Sequence, residues 1–99
     1  MTPETIEKMI YIVRDQKVML DSDLAKLYGV TTKRLNEQVK RNTLRFPSDF
    51  MFKLNEVEFL ALRSQIATLD IGRGKHRKYL PMVFTENGVA MLSSVLNSD

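Results

Sequence analysis

The chain has 99 residues, 43% of them hydrophobic and none of them cysteine, and it carries a net charge of +3. The absence of cysteine excludes disulfides, cysteine-bound zinc, iron–sulfur clusters and thiol nucleophiles. The length predicts one domain, residues 1–99, and the lack of both a signal peptide and an apolar run of about 20 residues predicts a cytoplasmic protein with no membrane partner.

Positive charge is concentrated in the middle of the chain. Residues 1–30 carry four basic and five acidic side chains, residues 31–78 carry eleven and five, and residues 79–99 carry none and two. The corresponding net charges are −1, +6 and −2. This segregation of charge predicts a polyanionic partner.

The first predicted element is a β-hairpin. Two apolar runs, residues 9–13 and 18–20, are rich in the β-branched and aromatic residues that favour strands, and Asp15 lies in the polar turn between them. The second run leads directly into a helix, which Asp21 or Ser22 can cap.

Residues 21–42 predict two short helices joined by a tight turn, as in a helix-turn-helix. Leu24, Leu27 and Tyr28 are three and four residues apart, so they share one face of the first helix. Gly29 follows and supplies the left-handed residue with which helices commonly end.

The second helix of the pair, residues 32–42, is polar and basic on its outer side. Thr31 or Thr32 can cap it, and Leu35 and Val39 point inward. Val39 comes one place later than in the usual helix-turn-helix spacing. An ordinary corner between two helices is the alternative interpretation, because enzymes and interaction modules also contain two short helices joined by a glycine turn.

The next segment combines a strand with the start of a supporting helix. Phe50, Phe52 and Leu54 alternate with other residues as in a half-buried strand. We expect Phe46, Phe50 and Phe52 to lie in the core instead of forming a base-stacking platform. Asn55 and Glu58 form an approximate capping box.

The last elements are a strand, residues 79–84, and a helix that Thr85 can cap. Pro81 within the strand suggests an edge strand or a bulge. Gly88, in the first turn of the helix, permits close packing, for example against the preceding strand.

Residues 72–78 form a basic segment with two glycines and no acid. Its Lys and Arg residues are Arg73, Lys75, Arg77 and Lys78. This composition is typical of a wing or arm that contacts phosphates, and a flexible solvated linker is the alternative. His76 is the only histidine and lies among cations, so the sequence predicts neither a metal site nor a catalytic triad.

Ordered blocks of the chain carry a family resemblance. They are residues 12–25, 27–30, 33–42, 45–52, 62–67 and 84–96. Together they cover about residues 9–97 and resemble the phage ORF-six-N domain, which is grouped with KilA-N-type domains of bacteriophages and large DNA viruses. The resemblance implies a small DNA-binding module at the N-terminus of a longer, antirepressor-like regulatory protein. It implies no catalytic residue.

We therefore predict an α+β domain with an N-terminal β-hairpin, a helix-turn-helix-like pair, further short strands and two supporting helices. We predict that it binds double-stranded DNA, with the helix at 32–42 reading bases and the loop 72–78 gripping phosphates. The candidate DNA-binding residues are Thr32, Lys33, Arg34, Asn36, Glu37, Lys40, Arg41, Arg45, Arg73, Lys75, Arg77 and Lys78.

Within this set, Arg34 can read guanine and Asn36 adenine, because those side chains make paired hydrogen bonds to those bases. Lys40, Arg41 and Arg45 are better placed for phosphates. The alternatives are a module that binds an acidic protein such as a repressor, and an RNA or single-strand binder. We expect no enzyme activity and no cofactor, since no acid–base or metal constellation is visible. A homo-oligomer is compatible with the sequence.

Overall fold

The computed structural model describes residues 6–65 and 80–97, which form an α+β fold. Its strands are β1 (Ile10–Val13), β2 (Gln16–Leu20), β3 (Met51–Lys53) and β4 (Met82–Thr85). Its helices are α1 (Asp21–Tyr28), α2 (Thr32–Arg41), α3 (Glu56–Gln65) and α4 (Glu86–Asn97), and a 3-10 turn spans Thr43–Arg45. The predicted fold class, with a hairpin ahead of the helix pair, is confirmed.

The four described strands form one antiparallel sheet in the order β1-β2-β4-β3. Because β4 is an inner strand, the prediction that its proline marks a sheet edge or a bulge is wrong. Pro81 stands one residue before β4, where its missing N–H breaks no ladder bond. Its carbonyl accepts a hydrogen bond of 3.0 Å from the backbone N–H of Leu54.

The hairpin turn is tighter than the sequence predicted. Gln16 already belongs to β2, so only Arg14 and Asp15 form the turn, with φ angles of 53° and 60°. Positive φ at both central residues is the signature of a two-residue turn whose twist matches that of the flanking strands. Arg14 thus occupies a left-handed conformation that costs an ordinary side chain about 1–2 kcal/mol.

Alternation along the strands divides the core into two layers, one on each face of the sheet. On one face, Leu62 of α3 packs on residues that include Tyr11, Val18 and Phe52. On the other face, Met19 and Phe84 pack against α1, α2 and α4. The expectation that the phenylalanines belong to the core is confirmed for Phe46 and Phe52, which are buried, and Phe50 is half-buried.

The start of α4 is fitted tightly against the segment that precedes β3. The Thr85 hydroxyl accepts a 3.4 Å hydrogen bond from the backbone N–H of Gly88, so the predicted cap is confirmed. The backbone N–H of Thr85 donates to the Phe50 carbonyl at 2.9 Å, and its hydroxyl donates to the Asp49 carbonyl, also at 2.9 Å. A Cβ on Gly88 would overlap the Phe50 carbonyl group. The close packing predicted for Gly88 is present, with this carbonyl as its partner.

Candidate nucleic-acid interface

The turn between α1 and α2 follows the sequence prediction. Gly29 ends α1 with a φ of 68°, and its backbone N–H bonds to the carbonyl of Lys26 at 3.2 Å. The Thr31 hydroxyl then caps α2 by accepting the backbone N–H of Arg34 at 3.0 Å. Both ends of the turn are therefore hydrogen-bonded, which fixes the direction in which α2 leaves it.

The inner face of α2 is anchored in the helical layer of the core. Leu35 and Val39 are both buried, as predicted. They share a cluster with Leu24 of α1 and with Leu92 and Val95 of α4. Burial of two aliphatic side chains of this kind contributes about 3–6 kcal/mol, enough to hold a helix that is otherwise polar.

The opposite side of α2 is exposed and predominantly basic. From Lys33 onwards, the exposed side chains of α2 fall within an arc of about 120°, at 100° per residue. They are Lys33, Arg34, Glu37, Lys40 and Arg41. Arg45 in the following 3-10 turn is also exposed. We call Lys33, Arg34, Lys40, Arg41 and Arg45 the basic face.

Two further candidates lie on one side of this arc, beyond Lys40. Thr32 and Asn36 are half-buried. Thr32 is the first residue of α2. Of the eight candidates that fall on described residues, six are therefore exposed together along α2 and its continuation, and the other two lie beside them, towards the core.

The cations of the basic face lack ion-pair partners within the described part of the chain. Glu37 is the one acidic residue of α2. Five cations and one carboxylate on a single helix and its adjoining turn give a concentrated positive potential, which attracts polyanions. By contrast, a solvated helix face with alternating charge would be stabilised by its own ion pairs.

Cations on the opposite side of the sheet are engaged with the protein itself. Arg14 forms a two-pronged ion pair with Glu58, with nitrogen–oxygen distances of 2.7 and 3.0 Å, and its guanidinium lies 4.1 Å from the centre of the Phe52 ring. The hydrogen bond from Arg14 lowers the pKa of Glu58, and the backbone N–H of Asn55 lowers it further. Arg63 lies over the Phe59 ring at 5.8 Å.

The basic face is held rigidly where α2 ends. The Asn42 side-chain amide donates to the Gln38 carbonyl at 2.8 Å, and the Thr43 hydroxyl donates to the Lys40 carbonyl at 2.7 Å. The backbone N–H of buried Phe46 then bonds to the Thr43 carbonyl at 3.0 Å. These bonds satisfy carbonyls that a helix end leaves open, so the 3-10 turn continues α2 as an ordered unit.

Asp21 has a role that the sequence did not suggest. The prediction that Asp21 or Ser22 caps α1 is wrong, because α1 begins at Asp21 itself and Leu20 occupies the capping position without a side-chain bond. The buried Asp21 carboxylate instead accepts the backbone N–H of Ser22 at 2.7 Å and the side-chain amide of Asn36 at 3.1 Å. It therefore ties the start of α1 to the middle of α2.

This bond bears directly on Asn36. Paired recognition of adenine uses both the amide nitrogen and the amide oxygen of the side chain. In this structure one of the two amide hydrogens donates to Asp21, so this bond fixes the orientation of the side chain and leaves only the other hydrogen and the amide oxygen for a base. Asn36 is consequently well placed to fix the crossing of α1 and α2, a role for which the sequence spacing alone gave no signal.

The remaining candidates, Arg73, Lys75, Arg77 and Lys78, belong to residues 72–78, which lie outside the described residues. No helix in the described part of the chain has the length and apolar character needed to cross a bilayer. Among residues 6–65 and 80–97, no three His, Cys, Asp or Glu side chains cluster as a metal site would require.

Comparisons with known proteins give one finding. A family model described as the ORF6N domain matches residues 8–95, almost the whole chain. The match confirms the resemblance carried by the sequence blocks. Neither the curated proteins nor the solved structures contain a match.

Proposed function

The chain belongs to the ORF6N domain family, and we propose that it is a double-stranded DNA-binding module of a phage-type, antirepressor-like regulatory protein. In this proposal the domain is a binding module and has no enzymatic activity. Its DNA lies in the cytoplasm, so a cytoplasmic location is part of the proposal.

The observation that carries the proposal is the basic face. Its five cations lie on the exposed side of one helix, which is capped and anchored in the core, and on the turn that continues it, with no ion-pair partner among the described residues. Side chains on a rigid element keep a fixed spacing, which suits a ligand whose negative charges also have a fixed spacing. Duplex DNA is such a ligand, with one phosphate charge per about 1.7 Å of its axis.

We place the first half of α2 in the major groove, which is wide enough to admit a helix. Arg34 can then donate two hydrogen bonds to guanine, and Glu37 can accept one from cytosine. Lys40, Arg41 and Arg45 lie further along the chain and contact phosphates. Asn36 supports this arrangement through Asp21, as the 3.1 Å bond between them indicates.

A titration of fluorescently labelled duplex DNA at several salt concentrations tests the proposal. If the domain neutralises about five phosphates, the logarithm of the affinity falls against the logarithm of salt concentration with a slope of about −4 to −5. Absence of binding at low salt, or an affinity that does not respond to salt, would refute it.

Selection of bound duplexes from a random pool distinguishes residues that recognise bases from residues that contact phosphates. Arg34→Ala should relax the preference at one position of the selected site, because it removes a contact to a base edge. Arg73→Ala and Arg77→Ala test the proposed grip of the loop 72–78, and each should weaken binding to all sequences about equally. The reverse pattern would show that the two roles had been exchanged.

A second candidate is an acidic protein partner such as a repressor. The basic face favours it too, since unpaired cations attract any polyanion. Co-elution of the domain with an acidic protein, combined with no binding to DNA, would support this alternative. Single-stranded nucleic acid is less well supported, because stacking platforms need accessible rings and both Phe46 and Phe52 are buried.

A further inference from the structure

Leu44 is the most exposed of the large hydrophobic side chains in the described residues. Its relative exposure is 99%, compared with 77% for Val57 and 60% for Leu60, the next in order. A single exposed leucine is common on protein surfaces and by itself requires no explanation. The local structure and the charges around Leu44 distinguish it from Val57 and Leu60.

The backbone that carries Leu44 is fixed on both sides. Leu44 is the middle residue of the 3-10 turn, between the buried anchors Val39 and Phe46. The backbone N–H of Arg45 bonds to the Asn42 carbonyl at 2.8 Å, in addition to the bonds of Thr43 and Phe46 described above. The turn is thus an ordered platform that holds an apolar side chain fully in solvent.

Within four residues of Leu44 on either side, every charged side chain is basic. Between Lys40 and Ser48 the chain has three cations, Lys40, Arg41 and Arg45, and no acid. A leucine that docked into another protein would commonly be surrounded by apolar neighbours. A leucine between cations suits a ligand that combines phosphates with an apolar surface, and the sugars and base faces of a duplex provide both.

The position of Leu44 along the chain indicates which groove it meets. Seven residues separate Leu44 from Glu37, in the middle of the exposed arc, and a rise of 1.5 Å per α-helical residue and 2 Å per 3-10 residue gives an advance of at most about 12 Å. The major groove is about 12 Å wide in total. When α2 crosses that groove with Arg34 and Glu37 facing its floor, a residue this far along the chain reaches the edge of the groove, next to the minor groove.

We propose that Leu44 is an apolar wedge that enters the minor groove beside the basic face, partly unstacks a base step and bends the duplex. This inference rests on the proposed DNA binding. Proteins that insert leucine, methionine or other apolar side chains between base steps kink DNA and gain contacts with the bent duplex. Flexible pyrimidine–purine steps such as TA are the most easily unstacked, so they are the expected target of the wedge.

The test uses a short duplex with central TA steps and a dye at each end, so that anisotropy reports affinity and energy transfer between the dyes reports bending. Wild-type protein should bend the duplex. Leu44→Ala should abolish the bend and weaken binding about tenfold or more, because a leucine side chain loses its apolar contact. The salt slope should not change, since no phosphate contact is lost.

Two matched variants complete the design. Leu60→Ala makes the same substitution on α3, on the opposite side of the sheet, and should bind and bend as the wild type does. Leu44→Met keeps an apolar wedge and should retain the bend. Thermal unfolding of all variants should be unchanged, because surface substitutions of this kind have little effect on stability.

The outcomes separate this inference from the function on which it rests. A wild-type domain that binds the duplex without bending it, or a Leu44→Ala variant that binds and bends normally, overturns the wedge and leaves DNA binding intact. A Leu44→Ala variant whose salt slope falls also overturns it, since that result assigns Leu44 to the positioning of phosphate contacts. A wild-type domain that does not bind duplex DNA overturns both proposals.

Discussion

Replacement of Gly88 by alanine tests how α4 is fixed to the sheet. An added Cβ would lie 2.8 Å from the carbonyl carbon of Phe50 and closer still to its oxygen, whereas real Cβ atoms do not come within 3.0 Å of such atoms. The obstacle is backbone, so no side-chain rotation can relieve the overlap. The start of α4 must therefore move away from Phe50.

The resulting loss of stability has three contributions. Overpacking of a tight site costs about 1–3 kcal/mol. The two hydrogen bonds from Thr85 to this backbone segment, each worth about 0.5–1.5 kcal/mol, are weakened as well. Against this, alanine gains up to about 1 kcal/mol over glycine within a helix. The expected net destabilisation for Gly88→Ala is about 3 kcal/mol.

Urea denaturation followed by circular dichroism measures this value, with Ser94→Ala on the exposed side of α4 as the matched control. A loss of about 3 kcal/mol lowers the melting temperature of a domain this small by about 12 °C or more. Gly29→Ala provides a second comparison: its Cβ would meet no atom within 4 Å, so only its φ of 68° opposes alanine, at about 1–2 kcal/mol. A Gly88→Ala variant as stable as the wild type would refute the reasoning.

Three further substitutions have defined outcomes. Asp15→Gly should raise the free energy of unfolding by about 1 kcal/mol, because glycine adopts the φ of 60° without strain; an unchanged urea midpoint would contradict this. Glu58→Gln should be less stable than the wild type at pH 7. Because Arg14 lowers the folded-state pKa of Glu58, this difference in stability should vanish as the pH falls from about 5 through the lowered pKa. Urea midpoints measured at neutral and acid pH test this, and an equal difference at both pH values would contradict it. Asn36→Ala should lower the free energy of unfolding by about 1–3 kcal/mol, since Asp21 loses a donor, and should leave the selected DNA sequence unchanged. Unchanged stability together with a relaxed sequence preference would instead assign Asn36 to base recognition.

The sequence predicted the parts of the fold that depend on local chemistry. Gly29, Thr31 and the capping pair of Asn55 and Glu58 act as their residue types indicate, because turn and cap preferences operate over three or four residues. The inward position of Leu35 likewise follows from helical spacing.

Features that depend on distant parts of the chain were not predictable in this way. The inner position of β4 results from pairing with β2 and β3, which precede it by tens of residues. Pro81 alone therefore led to the wrong prediction of an edge strand or a bulge. The bond between Asp21 and Asn36 joins residues on two helices, and each side chain also had an ordinary local interpretation. Leu44 gave no signal, because a leucine in a short polar segment is equally compatible with a buried site.

The central claim is that the basic face of α2 and its turn binds the phosphates of duplex DNA. The most direct measurement compares the salt slope of Lys40→Gln/Arg41→Gln with that of Lys17→Gln/Lys53→Gln, which removes two exposed cations from β2 and β3. The first pair should reduce the steepness of the log–log slope by about 2, and the second pair should leave it at the wild-type value. Equal slopes for the two double variants would contradict the account.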